Sequence, residues 1–277
     1  MVNPVLAGWH ARPLSVEVDL EHGGRWTSLR TPEREWLWSR HDPGRNRVKP
    51  GDPFVDVGGV EECFPTVRGH PDHGDVWSRR WDGSACDAAV SADGTRLRRQ
   101  ISRHDGSIVA RYQVHARPGF RFVHATHALL QLSTAARVEA PTDRVVVVDD
   151  PRPLGADVRW TGHPVEAHWP SPWDLPLHQF GADDGTAMGL VLPGCHEVMV
   201  VDGSEALTMA VDGDAPLSTA VWRNLGGYPP GAPYRSTGVE PLVGGSFDRR
   251  DNGRAATIPA AGFLSWTLRC TAWRRSS

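Results

Sequence analysis

The sequence predicts an all-β fold, an antiparallel sandwich or barrel, and two observations support this prediction. Apolar and polar residues alternate as they do in strands, in runs of about five to eight residues that recur along the chain. Glycine (29 residues) and proline (23 residues) interrupt the chain at short intervals, so that no apolar helical pattern continues beyond about ten residues. Many short strands separated by turn residues are typical of antiparallel architectures.

The predicted strands are distributed over the whole chain. Two of them show the alternation most clearly: SIVARYQV (107–114) places Ile108 and Tyr112 on one face, and GFLSWTLRCTAW (262–273) does the same with Trp266 and Cys270. The others are LSVEVDL (14–20), RWTSLR (25–30), REWLW (34–38), VVVV (145–148), MGLVL (188–192) and HEVMVV (196–201).

A single domain covering residues 1–277 is the expected organisation. The length of 277 residues fits one large all-β domain, and we find no internal repeat and no low-complexity linker. Long connections are expected at 40–85, 149–180 and 224–236. Loops of this length in a compact β protein usually carry function.

Composition excludes several classes of protein. A net charge of -3 gives no preference for nucleic acid or for an anionic membrane. The four cysteines, at 63, 86, 195 and 270, form no closely spaced pair, which argues against a zinc knuckle or a redox pair. No apolar run approaches the roughly 20 residues of a membrane span, and the N-terminal residues lack the pattern of a secretory signal. We therefore expect a cytoplasmic protein, a monomer or weak homodimer.

The segment GGVEECFPTVRGHPDHGDVW (58–77) concentrates carboxylates, histidines and a cysteine. His70 and His73, with Glu61 and Glu62 nearby, suggest a metal cluster by residue type alone. A zinc site needs four converging ligands and usually a local pair from each arm. Because only one local histidine pair is present, no bound metal is expected.

Three strand positions are further candidates for chemistry. Glu240 precedes Pro241, which we expect to end a short strand, so that the carboxylate either faces a cleft or lies at an exposed edge. His124 and His127 differ by three positions and should point to opposite faces of a strand. A single histidine in a strand is more often structural than catalytic.

Tryptophan is abundant, with 12 residues. Most of these side chains should lie in the core. Those at loop ends, Trp77, Trp81 and Trp222, could instead stack on the apolar face of a sugar ring.

Four segments carry a resemblance to a known family. They are GGRWTSLRTPEREWLW (23–38), GGVEECFPTV…DHGDVWSRRW (58–81), FVHATHALLQL (122–132) and WRNLGGYPPG…YRSTGVEPLVGG (222–245). In this order they resemble the aldose 1-epimerase (galactose mutarotase-like) family, over roughly residues 20–270. The resemblance implies a large antiparallel β-sandwich, the galactose mutarotase-like supersandwich, with long loops over a concave sheet that cradles a sugar.

The resemblance also implies roles for three residues. His73 falls on the first active-site histidine, within a His-Gly dipeptide, His127 on the second histidine, and Glu240 on the catalytic base. The chain departs from the family where His127 is followed by Ala128 and Leu129 instead of proline and an aromatic residue.

Substrate-binding residues are expected around these three. Glu62 and Asp72 should orient His73 or a sugar hydroxyl, and Trp77 and Trp222 should contact the sugar. Members that act on hexose 6-phosphates tend to have an arginine where this chain has Trp77, which disfavours a phosphorylated substrate. Arg79 lies close enough in the sequence to keep that question open.

The implied activity is that of a sugar 1-epimerase, which interconverts the α and β anomers of a free aldose in carbohydrate metabolism and needs no cofactor. Two alternatives stay open, since a fold does not determine function. One is another isomerase or lyase that uses the same cleft on a modified sugar or cyclic metabolite. The other is a sugar-binding module without catalytic activity.

Overall fold

Two nine-stranded antiparallel sheets form most of the structure, which is a computed structural model describing residues 8–251 and 253–276. Strands account for 50% of the structure and helices for 3%, so the predicted all-β sandwich is confirmed. The predicted domain limits, residues 1 and 277, lie outside the described residues.

The described residues form twenty strands, in chain order β1 (Trp9–Arg12), β2 (Ser15–Asp19), β3 (Arg25–Arg30), β4 (Val60–Cys63), β5 (Asp82–Ser84), β6 (Asp87–Ala92), β7 (Thr95–His104), β8 (Ser107–His115), β9 (Arg121–Phe122), β10 (His124–Leu130), β11 (Arg137–Glu139), β12 (Arg144–Val147), β13 (Val165–His168), β14 (Thr186–Pro193), β15 (Glu197–Asp202), β16 (Glu205–Gly213), β17 (Leu217–Tyr228), β18 (Tyr234–Val243), β19 (Ala256–Thr257) and β20 (Phe263–Arg275). Short 3-10 helices lie at Arg45–Arg47, Arg152–Leu154 and Pro172–Asp174.

The strands divide into two large sheets and one small pair. Sheet 1 has the order β11-β15-β16-β20-β8-β7-β6-β5, with β1 also paired to β20. Sheet 2 has the order β13-β12-β14-β17-β18-β10-β4-β3-β2. The short strands β9 and β19 pair with each other. In the part of the chain that the structure describes, no helix is long and apolar enough to cross a membrane.

The main core lies between the two sheets. On β20, Trp266 and Leu268 are buried, and on β8 so is Tyr112. From sheet 2, His124 points inward and packs against Tyr112 and Trp266, with ring centroids 4.9 and 5.0 Å away. A smaller apolar cluster that includes Ala125 lies on the other face of sheet 2. His124 and Ala125, neighbours in β10, thus mark the inner and outer faces of this sheet.

A buried ionic cluster ties the two sheets together. Glu62 on β4 accepts hydrogen bonds from Arg99 of β7 (2.6 Å) and the hydroxyl of Tyr112 (3.0 Å), and it lies 2.8 Å from Nε2 of His124. Burial would raise the pKa of Glu62, but His124 and Arg99 outweigh it and hold the pKa below its usual value. Glu62 is thus a structural residue of the core.

The strand predictions are largely correct, but the predicted long connections are not free of strands: β4 and β5 lie within 40–85, and β13 lies within 149–180. The predicted loop 224–236 is mostly a hairpin, since β17 continues to Tyr228 and β18 begins at Tyr234. The segment REWLW forms only isolated bridges, such as Arg30 to Glu35 and Leu37 to Leu130.

Proline at position 241 does not end its strand. Strand β18 continues through Pro241, which pairs with Thr219 of β17. On the side of β10, pairs flank this position, Ala125 with Leu242 and Leu129 with Gly238, but none is formed between them. A proline lacks the N–H group that a ladder hydrogen bond needs. The ladder is therefore interrupted locally while the strand itself persists.

Candidate functional site

A cavity of about 840 Å³ opens on the outer face of sheet 2. Strands β10, β14, β17 and β18 form its floor, and the segments around residues 40–56, 67–73, 149–150 and 228–234 form its walls. Its lining includes Arg40, Asp42, Phe54, Asp56, Arg68, Asp72, His73, His127, Asp149, Asp150, Gly189, Trp222, Tyr228, Tyr234, Ser236, Glu240 and Phe247.

His127 and Glu240 lie side by side on the floor of this cavity. The register of β10 and β18 places them opposite each other, within the interrupted part of the ladder. Nδ1 of His127 is 2.8 Å from Oε1 of Glu240, but its N–H does not point at that oxygen as a hydrogen bond requires. The contact is therefore an ion pair in which the N–H group is poorly aligned.

The carboxylates around His127 keep its imidazole protonated at neutral pH. Burial alone would lower the pKa of His127, but Glu240, and then Asp56 and Glu61, outweigh it and raise the pKa to about 9. The cavity floor thus holds an imidazolium beside a carboxylate, which is an acid and a base within one hydrogen-bond length.

Glycine at position 238 leaves room for the Glu240 carboxylate. A Cβ atom there would lie 3.1 Å from Oε1 of Glu240 and 3.0 Å from Cδ2 of Leu129. Both are tighter than ordinary van der Waals contact, so a side chain at position 238 would push the carboxylate away from His127.

The loop after β4 brings His73 to the same place. Gly74 must be glycine, because a Cβ atom there would lie 2.0 Å from the carbonyl oxygen of Phe64. His73 itself has a positive φ of 57°, a conformation uncommon for residues other than glycine. Its ring lies 5.4 Å from that of His127, measured between centroids, and is roughly perpendicular to it.

Two neighbours fix the orientation of His73. Its ring stacks on Phe54, with centroids 3.7 Å apart and planes 6° from parallel. Its Nδ1 lies 2.8 Å from Oδ2 of Asp72. Burial would raise the pKa of Asp72, but the hydrogen bond and the charge of His73 outweigh it and lower that pKa. With Nδ1 bound to the carboxylate, Nε2 is the nitrogen available to a ligand.

Aromatic side chains supply flat surfaces in the cavity. Trp222 donates its indole N–H to Ser236 (3.2 Å) and meets Tyr228 edge to face. Tyr234 stacks on Trp38 and donates its hydroxyl to Asp56 (2.6 Å). Such rings, each fixed at its polar end, are suited to the apolar faces of a sugar.

The structure brings together five of the eight predicted site residues, namely His73, His127, Glu240, Asp72 and Trp222, in the lining of one cavity. The other three do not line it. Glu62 points into the core towards His124 and not towards His73. Trp77 is also buried, with its ring edge-on to Phe54, and Arg79 lines a separate cavity of about 610 Å³. The positions of these three residues therefore do not agree with the predicted contacts with His73 or with a sugar in this cavity.

Sequence reasoning did not single out Phe54, Asp56, Tyr228 or Tyr234. They lie in segments treated as loops, where periodicity gives no orientation. The glycine- and proline-rich context of these segments was the only available signal. Within residues 8–251 and 253–276, no group of three or more His, Cys, Asp or Glu side chains is arranged to hold a metal ion; the absence of a metal stays a prediction.

Comparisons with known proteins identify the fold. No family model and no curated protein matches the sequence significantly. Among solved structures, a protein of Synechocystis sp. PCC 6803 has a TM-score of 0.67 at 13% identity, covering 95% of this chain and 93% of that one. A galactose mutarotase related enzyme of Lactobacillus acidophilus has a TM-score of 0.61 at 14% identity, covering 97% and 96%.

A galactose mutarotase-like protein of Lactobacillus casei ATCC 334 has a TM-score of 0.59 at 14% identity, covering 96% of this chain and 100% of that one. At these identities the similarity establishes the fold alone. The chain has the galactose mutarotase-like fold, as the resemblance implied.

Proposed function

We propose that this protein is a sugar 1-epimerase, which interconverts the α and β anomers of a free aldose by acid–base catalysis. The observation that carries the proposal is the pair of His127 and Glu240, 2.8 Å apart on the floor of a sugar-sized cavity. A positioned acid and base at neutral pH are what ring opening of a cyclic hemiacetal needs.

In the proposed reaction Glu240 removes the proton of the anomeric hydroxyl. His127 gives its proton to the ring oxygen, the bond between the anomeric carbon and the ring oxygen breaks, and an open-chain aldehyde forms. Rotation about the bond next to the aldehyde presents its other face, and closure reverses both proton transfers. The contact of Nδ1 with Glu240 leaves Nε2 of His127 to face the ring oxygen.

His73 acts in this proposal as a second hydrogen-bonding group that orients the sugar. Its stacking on Phe54 and its contact with Asp72 hold the ring in one position. A group held in this way loses little entropy when the substrate binds. Trp222 is proposed to contact the apolar face of the sugar.

The charges in the cavity favour an unphosphorylated substrate. Carboxylates outnumber guanidinium groups in its lining. Both arginines are already close to a carboxylate: Arg68 lies 2.7 Å from Asp149, and Arg40 lies 3.9 Å from Asp42. A phosphate group would meet repulsion from this excess of carboxylates before it gained an arginine.

The test is the approach to anomeric equilibrium of freshly dissolved α-D-glucose, α-D-galactose and their 6-phosphates, followed by polarimetry. We expect the purified protein to accelerate mutarotation of at least one free sugar and to act less well on its phosphate. Binding of a sugar without acceleration would indicate a binding module. If free aldoses neither bind nor react, an isomerase or lyase that acts on a modified sugar would replace this proposal.

A further inference from the structure

A second carboxylate lies beside His127, on the side opposite Glu240. Glu61 on β4 pairs directly with His127 on β10, and directly opposite residues have Cβ atoms about 4.5–5.5 Å apart on the same face of a sheet. Glu61, His127 and Glu240 therefore form a row across three adjacent strands, with the imidazole in the middle.

Glu61 is buried, with 1% of its surface exposed, and it is incompletely paired. Its Oε2 accepts a hydrogen bond from Nη2 of Arg45 at 2.8 Å. Its Oε1 lies 3.9 Å from Nε of Arg25 and has no hydrogen-bond partner among the described residues. A buried carboxylate oxygen without a donor is costly, and structural stability alone does not account for it.

Arg45 connects this carboxylate to the cavity wall. The same guanidinium donates to the carbonyl oxygen of Val55 at 3.2 Å and to that of Trp77 at 3.2 Å. Val55 lies between Phe54, which stacks on His73, and Asp56, which binds Tyr234. Arg45 thus links Glu61 to the segment that orients His73.

We propose that Glu61 is a positioning residue of the reaction, whose charge, held by Arg45 next to β10, keeps the His127 imidazole protonated and ready to act as the acid. The inference rests on the function proposed above, but the charge of His127 can be measured without any substrate. Glu61 itself does not touch the sugar in this scheme, since it does not line the cavity.

The charged groups around the pair support this role. Burial raises the pKa of Glu61 to about 7, against Arg45, Arg25 and His127, which lower it. His127 faces Glu240, Asp56 and Glu61, and the ring of His73. The carboxylate of Glu61 is therefore charged above about pH 7, the range in which His127 most needs help to retain its proton.

The test is an NMR titration of His127 in the full-length protein. In Glu61→Gln we expect the pKa of His127 to fall by about one unit, because one facing charge is lost and Arg45 is left unpaired. Glu61→Asp keeps the charge and should produce less than half of that shift. Glu62→Gln is the matched control, since Glu62 is the next residue, equally buried, and faces the other side of the sheet; it should leave this pKa in place.

The pH dependence of kcat/KM in Glu61→Gln gives a second test. If the protein is an epimerase, kcat/KM of Glu61→Gln should equal that of wild type near pH 6, where the wild-type carboxyl is itself protonated. It should be about fivefold lower near pH 9, where the protonated fraction of His127 falls from about one half to about one tenth. A loss of the same size at both pH values would mean that Glu61 only supports the structure, and would overturn the proposal.

The wild-type protein gives a test that does not depend on how the variants fold. The ¹³C carboxyl resonance of Glu61 should titrate near pH 7, and the ring resonance of His127 should show a second, smaller inflection at the same pH. The proposed coupling between Glu61 and His127 is wrong if His127 shows no inflection near pH 7. It is also wrong if Glu62→Gln changes the pKa of His127 as much as Glu61→Gln does.

Discussion

Replacing Glu240 by glutamine is the sharpest test of the proposed chemistry. The change keeps the size of the side chain and one acceptor oxygen, but the amide cannot take the proton of the anomeric hydroxyl. Because glutamine has nearly the same shape as glutamate and Gly238 leaves room for the side chain, the glutamine should occupy the same position. The variant therefore isolates the loss of charge and basicity.

The expected loss has two sources that can be estimated from the structure. Removing a positioned base costs roughly 10²–10⁴-fold in kcat. Removing a unit charge about 4 Å from the imidazolium centre is worth about 4 kcal/mol at an effective dielectric constant of about 20, an upper value for this site. That corresponds to about three pKa units, enough to bring His127 from about 9 to below neutrality.

The acid should therefore be lost together with the base. We expect kcat of Glu240→Gln to fall by at least about 10²-fold at pH 7.5 with little change in KM, measured by polarimetry on the best free aldose. His127→Asn should lose a similar amount. The double variant should be scarcely worse than either single variant, since they remove parts of one proton relay.

Two results would refute this reasoning. A Glu240→Gln protein with wild-type kcat would make Glu240 a bystander carboxylate. Losses that multiply in the double variant would show that His127 and Glu240 act independently. A matched Glu166→Gln variant, which changes an exposed glutamate that does not line the cavity, should keep wild-type kinetics and so controls for a general loss of charge.

Three further predictions concern pH, stability and metal. Because the folded-state pKa of His127 is about 9, kcat/KM should decline above that pH. The protonated His127 should contribute fully to the free energy of unfolding below about pH 6.5, and this contribution should be lost as the pH rises through 9. In His127→Asn, the Tm should no longer show this dependence on pH. Glu62→Gln should lower the free energy of unfolding in urea by about 3–5 kcal/mol, because Arg99 and His124 lose their buried partner; a change below about 0.5 kcal/mol would contradict the importance of that cluster. Dialysis against EDTA should leave activity in place, and recovery with zinc after a loss would indicate a metal site.

The sequence predicted the strands well because alternation is a local property. In β8, Ile108 and Tyr112 are both buried as the alternation required, and the pattern of β20 is borne out in the same way by Trp266 and Cys270. REWLW failed as a strand because apolar content does not specify a pairing partner. Pro241 was misjudged because a missing N–H affects only one of the two neighbouring ladders.

The site could be predicted only in part, for a similar reason. The faces of β10 and β18 follow from periodicity, and with the family resemblance they indicated His127 and Glu240. Phe54 and Tyr234, in contrast, approach the cavity from segments far apart in the sequence, and neither periodicity nor spacing orients a side chain in such a segment. Trp77 was assigned to the sugar because aromatic residues at loop ends are ambiguous, and its burial was not visible in the sequence.

Adjacent residues on β4 show how one strand serves both stability and function. Glu61 and Glu62 are consecutive and both buried, so the alternation of a strand sends them to opposite faces of sheet 2. Glu62 points inward and is satisfied by Arg99, which comes from the other sheet.

Glu61 points outward, towards the cavity side, where Arg45 satisfies only one of its oxygens. A carboxylate that is completely paired in a core holds its partners in place, and because its charge is neutralised by them it has little effect on other groups. One that is left partly unpaired next to an imidazole retains an electrostatic effect on its neighbour. The two residues therefore differ in pairing, and the pKa of Glu62 is lowered while that of Glu61 is raised. From this difference we infer that Glu62 stabilises the core and that Glu61 acts on the protonation of His127.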